Sequence, residues 1–192
     1  MRLFVALDLP WELRERLARL AGGIPGARWL PVENYHLTLR FIGEAPPHRA
    51  EEIDLALGTL RGRGFPLSLA GLGTFARNGR ETALWAGVER NPALDHLQSK
   101  IETALQRAGL EPERKRFVPH VTLARLDQAA EAKIAGFLQA HNLFRAGPIQ
   151  ISHFSLFSSL LGHEASAYTA EVEYPLDQSR SNASISASLK PK

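Results

Sequence analysis

The chain contains no cysteine and a single methionine among its 192 residues. Disulfides, thiolate nucleophiles and cysteine-based zinc centres are excluded together, which leaves seven histidines and the carboxylates to carry any acid–base chemistry. No apolar run approaches the roughly 18 residues needed to cross a bilayer, and the opening MRLFVALDLPWELRERL turns charged too early for a secretory signal. A cytoplasmic protein with no membrane partner is expected. A phosphate-cradling nucleotide loop is missing as well: Gly71-Leu72-Gly73 is followed by Thr74-Phe75 and by no lysine-bearing helix, so ATP dependence is not expected. The strongest histidine motifs, at His36 and His120, bring no His-x-x-x-His or nearby carboxylate arrangement, so the expectation is no metal and no cofactor. Charge is nearly balanced at +3, which suits an anionic partner without demanding one.

What is present is the balance of a folded domain, with 44% hydrophobic and 22% charged residues. A single domain over residues 1–176 is expected, monomeric by default. Residues 177–192 form a serine-rich tail, poor in large apolar groups and dispensable for folding.

Periodicity predicts strands and helices in alternation. Arg2 to Leu9 alternates around Leu3, Val5 and Leu7 as a strand; Trp11 to Ala21 carries Leu13, Leu17 and Leu20 at helical spacing and ends at Gly22-Gly23. A strand over Tyr35 to Ile42 follows, then a helix opened by Pro46-Pro47 and running to about Leu60. Strands over Phe65–Leu72 and Thr82–Glu89 flank an Asn78-Gly79 turn signal. A helix from Asn91-Pro92 to Ala108 places Leu94, Leu97, Ile101 and Leu105 on one face. A strand over His120–Arg125, a helix from about Gln128 to Ala140 and strands near Ile149–Ser158 and Ala167–Tyr174 complete the pattern.

Two segments share one pattern: Tyr35-His36-Leu37-Thr38-Leu39-Arg40-Phe41 and Pro119-His120-Val121-Thr122-Leu123-Ala124-Arg125. Seven histidines and seven threonines in a chain of this length predict roughly 0.26 His-x-Thr triplets by chance, so a matched pair is unexpected. On a strand, His36 and Thr38 share one face and Leu37 and Leu39 the other, and His120, Thr122, Val121 and Leu123 repeat this division. Each strand then buries its aliphatic side under a helix and displays an imidazole with a hydroxyl. If the two halves pack as pseudo-repeats, the displayed faces converge on a groove with opposed imidazoles. Such a pair suits displacement at phosphorus, one ring taking a proton from water and the other giving one to the departing oxygen. The hydroxyls of Thr38 and Thr122 are placed to bond the non-bridging oxygens, and Arg125 or Arg40 to add positive charge. Alternation sets Arg40 on the face of His36, and sets Arg125 on the opposite face from His120 unless the strand bends or ends.

These motifs, together with the opening Arg-Leu-Phe-Val-Ala-Leu, the stretch His-Leu-Thr-Leu-Arg-Phe-Ile-Gly at 36–43 and Phe-x-Pro-His-Val-Thr-Leu-Ala-Arg at 117–125, resemble the 2H phosphoesterase superfamily. The likeness is to the RNA 2′,3′-cyclic phosphodiesterases, also called 2′-5′ RNA ligases, and spans the chain to about Leu176. The resemblance implies a bilobal, pseudo-two-fold α+β fold, with two antiparallel sheets lining a central groove and helices outside. It implies His36 as proton donor and His120 as proton acceptor. Substrates would be RNA ends or nucleotides bearing a 2′,3′-cyclic phosphate, opened to 2′-phosphates, with a weak reverse joining of RNA ends through a 2′-5′ bond. Two alternatives stay open: another cyclic or 2′-5′ linked nucleotide such as ADP-ribose cyclic phosphate, and an RNA-end binding protein without turnover.

Other residues carry weaker signals. Phe41 and Phe117 lie beside the motifs, where stacking on bases competes with core packing. Arg114-Lys115-Arg116 precedes the second motif, where attraction to an RNA backbone competes with a solvated loop. His153 and Ser155 share a strand face by alternation, where lining the groove competes with a structural role. His48, His96, His141 and His163 lack the context of the pair and are assigned no chemistry.

Overall fold

In the computed structural model, which describes residues 1–161 and 166–177, the elements follow the chain as strands β1 (Arg2–Asp8), β2 (Arg28–Trp29), β3 (His36–Glu44), β4 (Phe65–Arg77), β5 (Arg80–Val88), β6 (His120–Arg125), β7 (Arg145–Ile151), β8 (His153–Leu161) and β9 (Ser166–Pro175). Helices α1 (Trp11–Ala18), α2 (Pro47–Gly58), α3 (Pro92–Arg107) and α4 (Glu131–Ala140) lie between them. The expectation for His163 and most of the serine-rich tail, residues 178–192, falls outside the described residues. Asp177, the first residue of that tail, exchanges backbone hydrogen bonds with the loop after α2, through Gly62 and Gly64.

The strands form one antiparallel sheet in the order β7-β4-β5-β6-β3-β1-β8-β9, with β2 on β6. The two expected sheets are its halves, β7-β4-β5-β6 and β3-β1-β8-β9, meeting where Leu37 of β3 pairs with Val121 of β6. The units β1-α1-β3-α2 and β5-α3-β6-α4 repeat one another, and β4 on one side and β8-β9 on the other cross over to complete each half.

The apolar stripes predicted for α1 and α3 are buried, except that Leu20 lies beyond the end of α1 at Ala18 and is only partly buried. Leu13 and Leu17 of α1, Ile53 and Leu57 of α2, Leu94, Leu97, Ile101 and Leu105 of α3, and Ile134 and Phe137 of α4 join the inward residues of the sheet in one core. Each fully buried aliphatic side chain of this kind contributes about 1.5–3 kcal/mol. Helix α3 also shows why the sequence starts and stops it there. The Asn91 side chain accepts from the Leu94 amide at 3.1 Å, Pro92 occupies the first turn, and Gly109 follows with φ of 85°.

Several boundaries differ from the periodicity, among them the end of α1, at Ala18 and not Ala21, and the end of β3, at Glu44 and not Ile42. The segment near Ile149–Ser158 is two strands, because the chain leaves β7 at one edge of the sheet and re-enters as β8 beside β1 in the other half, a break of one residue that alternation does not register. Strand β4 runs on to Arg77, since the Asn78-Gly79 turn lets it pair with β5 to the tip; φ is 53° and 75° at these two residues, as a two-residue hairpin turn requires. Helix α4 begins at Glu131, a few residues later than expected.

Candidate active site

The pairing of Leu37 with Val121 sets the geometry of the site. Both side chains are fully buried, so the residues on either side of each display the opposite face. Extending the antiparallel register by one residue in each direction sets His36 opposite Thr122, and Thr38 opposite His120. The four side chains therefore share one face at the seam between the two halves, where the charge of His120 bears on His36.

Both rings are oriented in the same way. Nδ1 of His36 lies 2.7 Å from the carbonyl oxygen of Asn34, and Nδ1 of His120 lies 2.6 Å from that of Val118, in each case the residue two before. A carbonyl only accepts, so Nδ1 carries the hydrogen and Nε2 is left for proton transfer. Nε2 of His36 is 3.0 Å from Oγ1 of Thr38, which donates to the neutral ring.

Each histidine also rests against aromatic side chains that its own motif does not supply. Around His36 these are Phe4, with ring centroids 4.9 Å apart, Tyr168 edge-on at 5.1 Å and Phe157 at 6.4 Å. Around His120, Phe75 stands edge-on at 4.7 Å and Trp85 lies at 6.2 Å. The Trp85 indole covers Gly73, where a Cβ would fall 2.3 Å from the ring. Burial against these surfaces disfavours the charged imidazole. His36 is pushed down to about 4, mainly by desolvation, with the positive charge of Arg14 and the neighbouring His120 adding to it and the Asn34 bond opposing it. His120 is lowered by burial and by the charge of Arg125, against the Val118 bond.

The two arginines are placed by matching irregularities. Thr38 and Arg40 oppose the consecutive residues Ala6 and Val5 of β1, so Leu39 is an extra residue in β3; Thr122 and Ala124 oppose Trp85 and Leu84 of β5, so Leu123 is extra in β6. A bulge resets which face the following residues take. Arg125 thereby returns to the side of His120, where its charge bears on that ring. Arg40, expected on the face of His36, is turned away from it. Its side chain, 9% exposed, pairs with Glu102 of α3 at 2.6 Å, donates to the Glu111 carbonyl at 2.6 Å and lies 3.6 Å from Glu113. The position it vacates goes to Phe41, which is 58% exposed and 5.9 Å from Phe4. Phe117 packs against the main core.

Of the remaining sequence candidates, Ser155 lies on the sheet face of Thr38, since Ala6 pairs with both. Arg114, Lys115 and Arg116 are exposed in the loop before β6, tied back where the Lys115 amide donates to Glu113. Ser155 opposes Ala6 and is fully enclosed, and Nδ1 of His153 lies 3.1 Å from Ser152 Oγ. His48 and His96 are exposed, and His141 packs on Phe137 with centroids 4.4 Å apart. Among the described residues, no three His, Asp or Glu side chains gather in a way that could hold a metal ion, and no helix is long and apolar enough to cross a membrane.

The sequence matches the family described as LigT like Phosphoesterase over residues 7–85 and 87–168, ranges that contain both His-x-Thr strands. The chain belongs to this phosphoesterase family. It is 34% identical over 160 residues to the RNA 2′,3′-cyclic phosphodiesterase of Aeropyrum pernix, covering 80% of this chain and 90% of that one. A relative of the same description from Geobacillus stearothermophilus is 33% identical over 128 residues, 64% of this chain but 41% of that longer protein. The crystal structure of E. coli LigT complexed with 3′-AMP superposes with a TM-score of 0.75 at 29% identity, covering 92% of this chain and 98% of the other.

Proposed function

We propose that this phosphoesterase opens 2′,3′-cyclic phosphates at RNA ends or on nucleotides to 2′-phosphates, with His36 as proton donor and His120 as proton acceptor, and with no metal ion. The display of His36, Thr38, His120 and Thr122 on one face where the two halves of the sheet meet carries this reading, since it brings two proton-transfer groups and two hydroxyls to one groove. Neutral His120 takes a proton from water through Nε2 as the water oxygen attacks phosphorus. The bond from phosphorus to O3′ breaks on the far side, and Nε2 of protonated His36 hands its hydrogen to that oxygen. The two rings then exchange protonation states before the next cycle. Thr38, Thr122 and Arg125 bind the non-bridging oxygens, whose charge grows in the transition state.

Burial alone would keep His36 neutral at pH 7. The phosphodiester supplies the missing counter-charge: an anion within a few ångströms favours the imidazolium, so substrate binding arms the proton donor. Phe41, exposed beside the groove, offers a stacking face to a base. An RNA 5′-hydroxyl replacing water would give a 2′-5′ joint by the same proton transfers, which is the basis for a weak reverse reaction. The setting consistent with these chemistries is a monomer acting in the cytoplasm.

The test is turnover of adenosine 2′,3′-cyclic phosphate in excess chelator, with the 2′- and 3′-phosphates resolved by chromatography. Conversion to the 2′-phosphate at an undiminished rate is expected. A 3′-phosphate product, chelator sensitivity, or failure to turn over this nucleotide and a short cyclic-phosphate RNA would overturn the assignment.

A further inference from the structure

The hairpin of β4 and β5 extends past the end of β6 and carries a charge pair that the two-histidine chemistry does not use. Side chains at alternate positions of β4 share a face, so Gly73, Phe75 and Arg77 all lie on the groove side, where Phe75 touches His120. Arg77 and Arg80 are directly opposed across the Asn78-Gly79 turn, so Arg80 joins that face, while Glu81 opposes Ala76 on the other. Both arginines are exposed, and neither has an ion-pair partner among the described residues. Like charges directly opposed on a sheet repel and cost stability, and a bound anion relieves that repulsion. In the next strands Arg125 opposes Arg28, whose own charge is taken up by Asp127 at 2.9 Å.

One residue pair beyond the ring that supports His120, about 7 Å along the strand, the sheet thus offers two uncompensated guanidinium groups on the groove face. Planar, permanently charged and rich in donors, they suit phosphodiester oxygens. We infer that the β4–β5 hairpin holds the backbone of an RNA chain, Arg77 and Arg80 binding the phosphates next to the cyclic end, so that oligonucleotides are preferred over mononucleotides. The inference rests on the reading of the site as a cyclic phosphodiesterase and adds a subsite for the chain behind the cyclic end.

The double variant Arg77→Gln/Arg80→Gln removes both charges and their mutual repulsion. Compared with the unaltered protein, it is expected to lose about tenfold in kcat/KM on a short RNA, about five nucleotides long, ending in a 2′,3′-cyclic phosphate. Turnover of adenosine 2′,3′-cyclic phosphate should be unchanged, and the salt dependence of log KM for the RNA should become shallower by about 1 to 1.5. Equal kcat/KM on the RNA, or equal losses on both substrates, would overturn the hairpin's role. A fluorescence anisotropy titration with labelled RNA of the same length ending in a 3′-phosphate reads the hairpin independently of turnover. If the unaltered protein turns over neither cyclic substrate, the catalytic reading fails and this titration alone decides: a loss of about tenfold in affinity sustains the hairpin's role, and unchanged affinity removes it.

Discussion

Leu37 and Val121 are paired in antiparallel register where the two halves of the sheet meet, and both are fully buried. Because side chains alternate across a strand, this one pair decides that His36, Thr38, His120 and Thr122 all face the groove. The spacing of the reacting groups is thus set by backbone pairing. A slip of one residue would bury the imidazoles and expose the aliphatic side chains, so the core that holds Leu37 and Val121 also holds the chemistry in register.

Arg40 and Arg125 are predicted to fail differently when replaced. Arg40→Met leaves Glu102, 17% exposed, without its 2.6 Å partner, and is expected to lower stability to urea by about 2–4 kcal/mol while kcat of the folded fraction changes little. Arg125→Met, an exposed position beside His120, is expected to leave stability within about 0.5 kcal/mol and to lower kcat/KM by about 10- to 100-fold. The reverse pattern would show that the bulges at Leu39 and Leu123 do not reset the faces as described.

His36 also makes stability depend on pH. Its folded-state value of about 4 lies below the ordinary 6.5, so between these limits the unfolded chain binds a proton that the folded chain does not. Its contribution is fully present above about pH 6.5 and is lost as pH falls toward 4, by an amount on the order of 3 kcal/mol. His36→Gln removes this linkage. Urea midpoints at pH 7 and pH 4.5 should fall less in the variant than in the unaltered protein; equal losses would mean that the ring is not held neutral by burial.

Gly73→Ala tests the support beneath His120. An added methyl group would meet the Trp85 indole at 2.3 Å, and the ring would have to leave its seat in the groove. A stability loss of about 1–3 kcal/mol is expected, with a shifted tryptophan emission and reduced turnover. Unchanged emission and turnover would detach Trp85 from the site.

Much of this architecture was legible because it depends on period and local chemistry. The stripe of α3, its Asn91 cap and Gly109 stop, the Asn78-Gly79 turn and the strand over Tyr35–Ile42 are each encoded within a few residues. The matched His-x-Thr pairs stood out by repetition. The bulges did not, because Leu39 and Leu123 continue the alternation of apolar residues while an extra residue shifts the pairing, and this is why Arg40 was expected in the groove. The aromatic supports were equally silent: Phe4, Phe75, Trp85, Phe157 and Tyr168 come from four other strands and a fifth, brought to the histidines only by the order of the sheet.

The most direct test of the paired-histidine site is kcat for His36→Ala and His120→Ala on adenosine 2′,3′-cyclic phosphate, each variant first shown to be folded by its urea transition. A positioned acid or base contributes about 10² to 10⁴ in rate, so each substitution should lower kcat by that factor, and the double variant by much less than the product of the two. Near-normal turnover in either single variant would contradict the account.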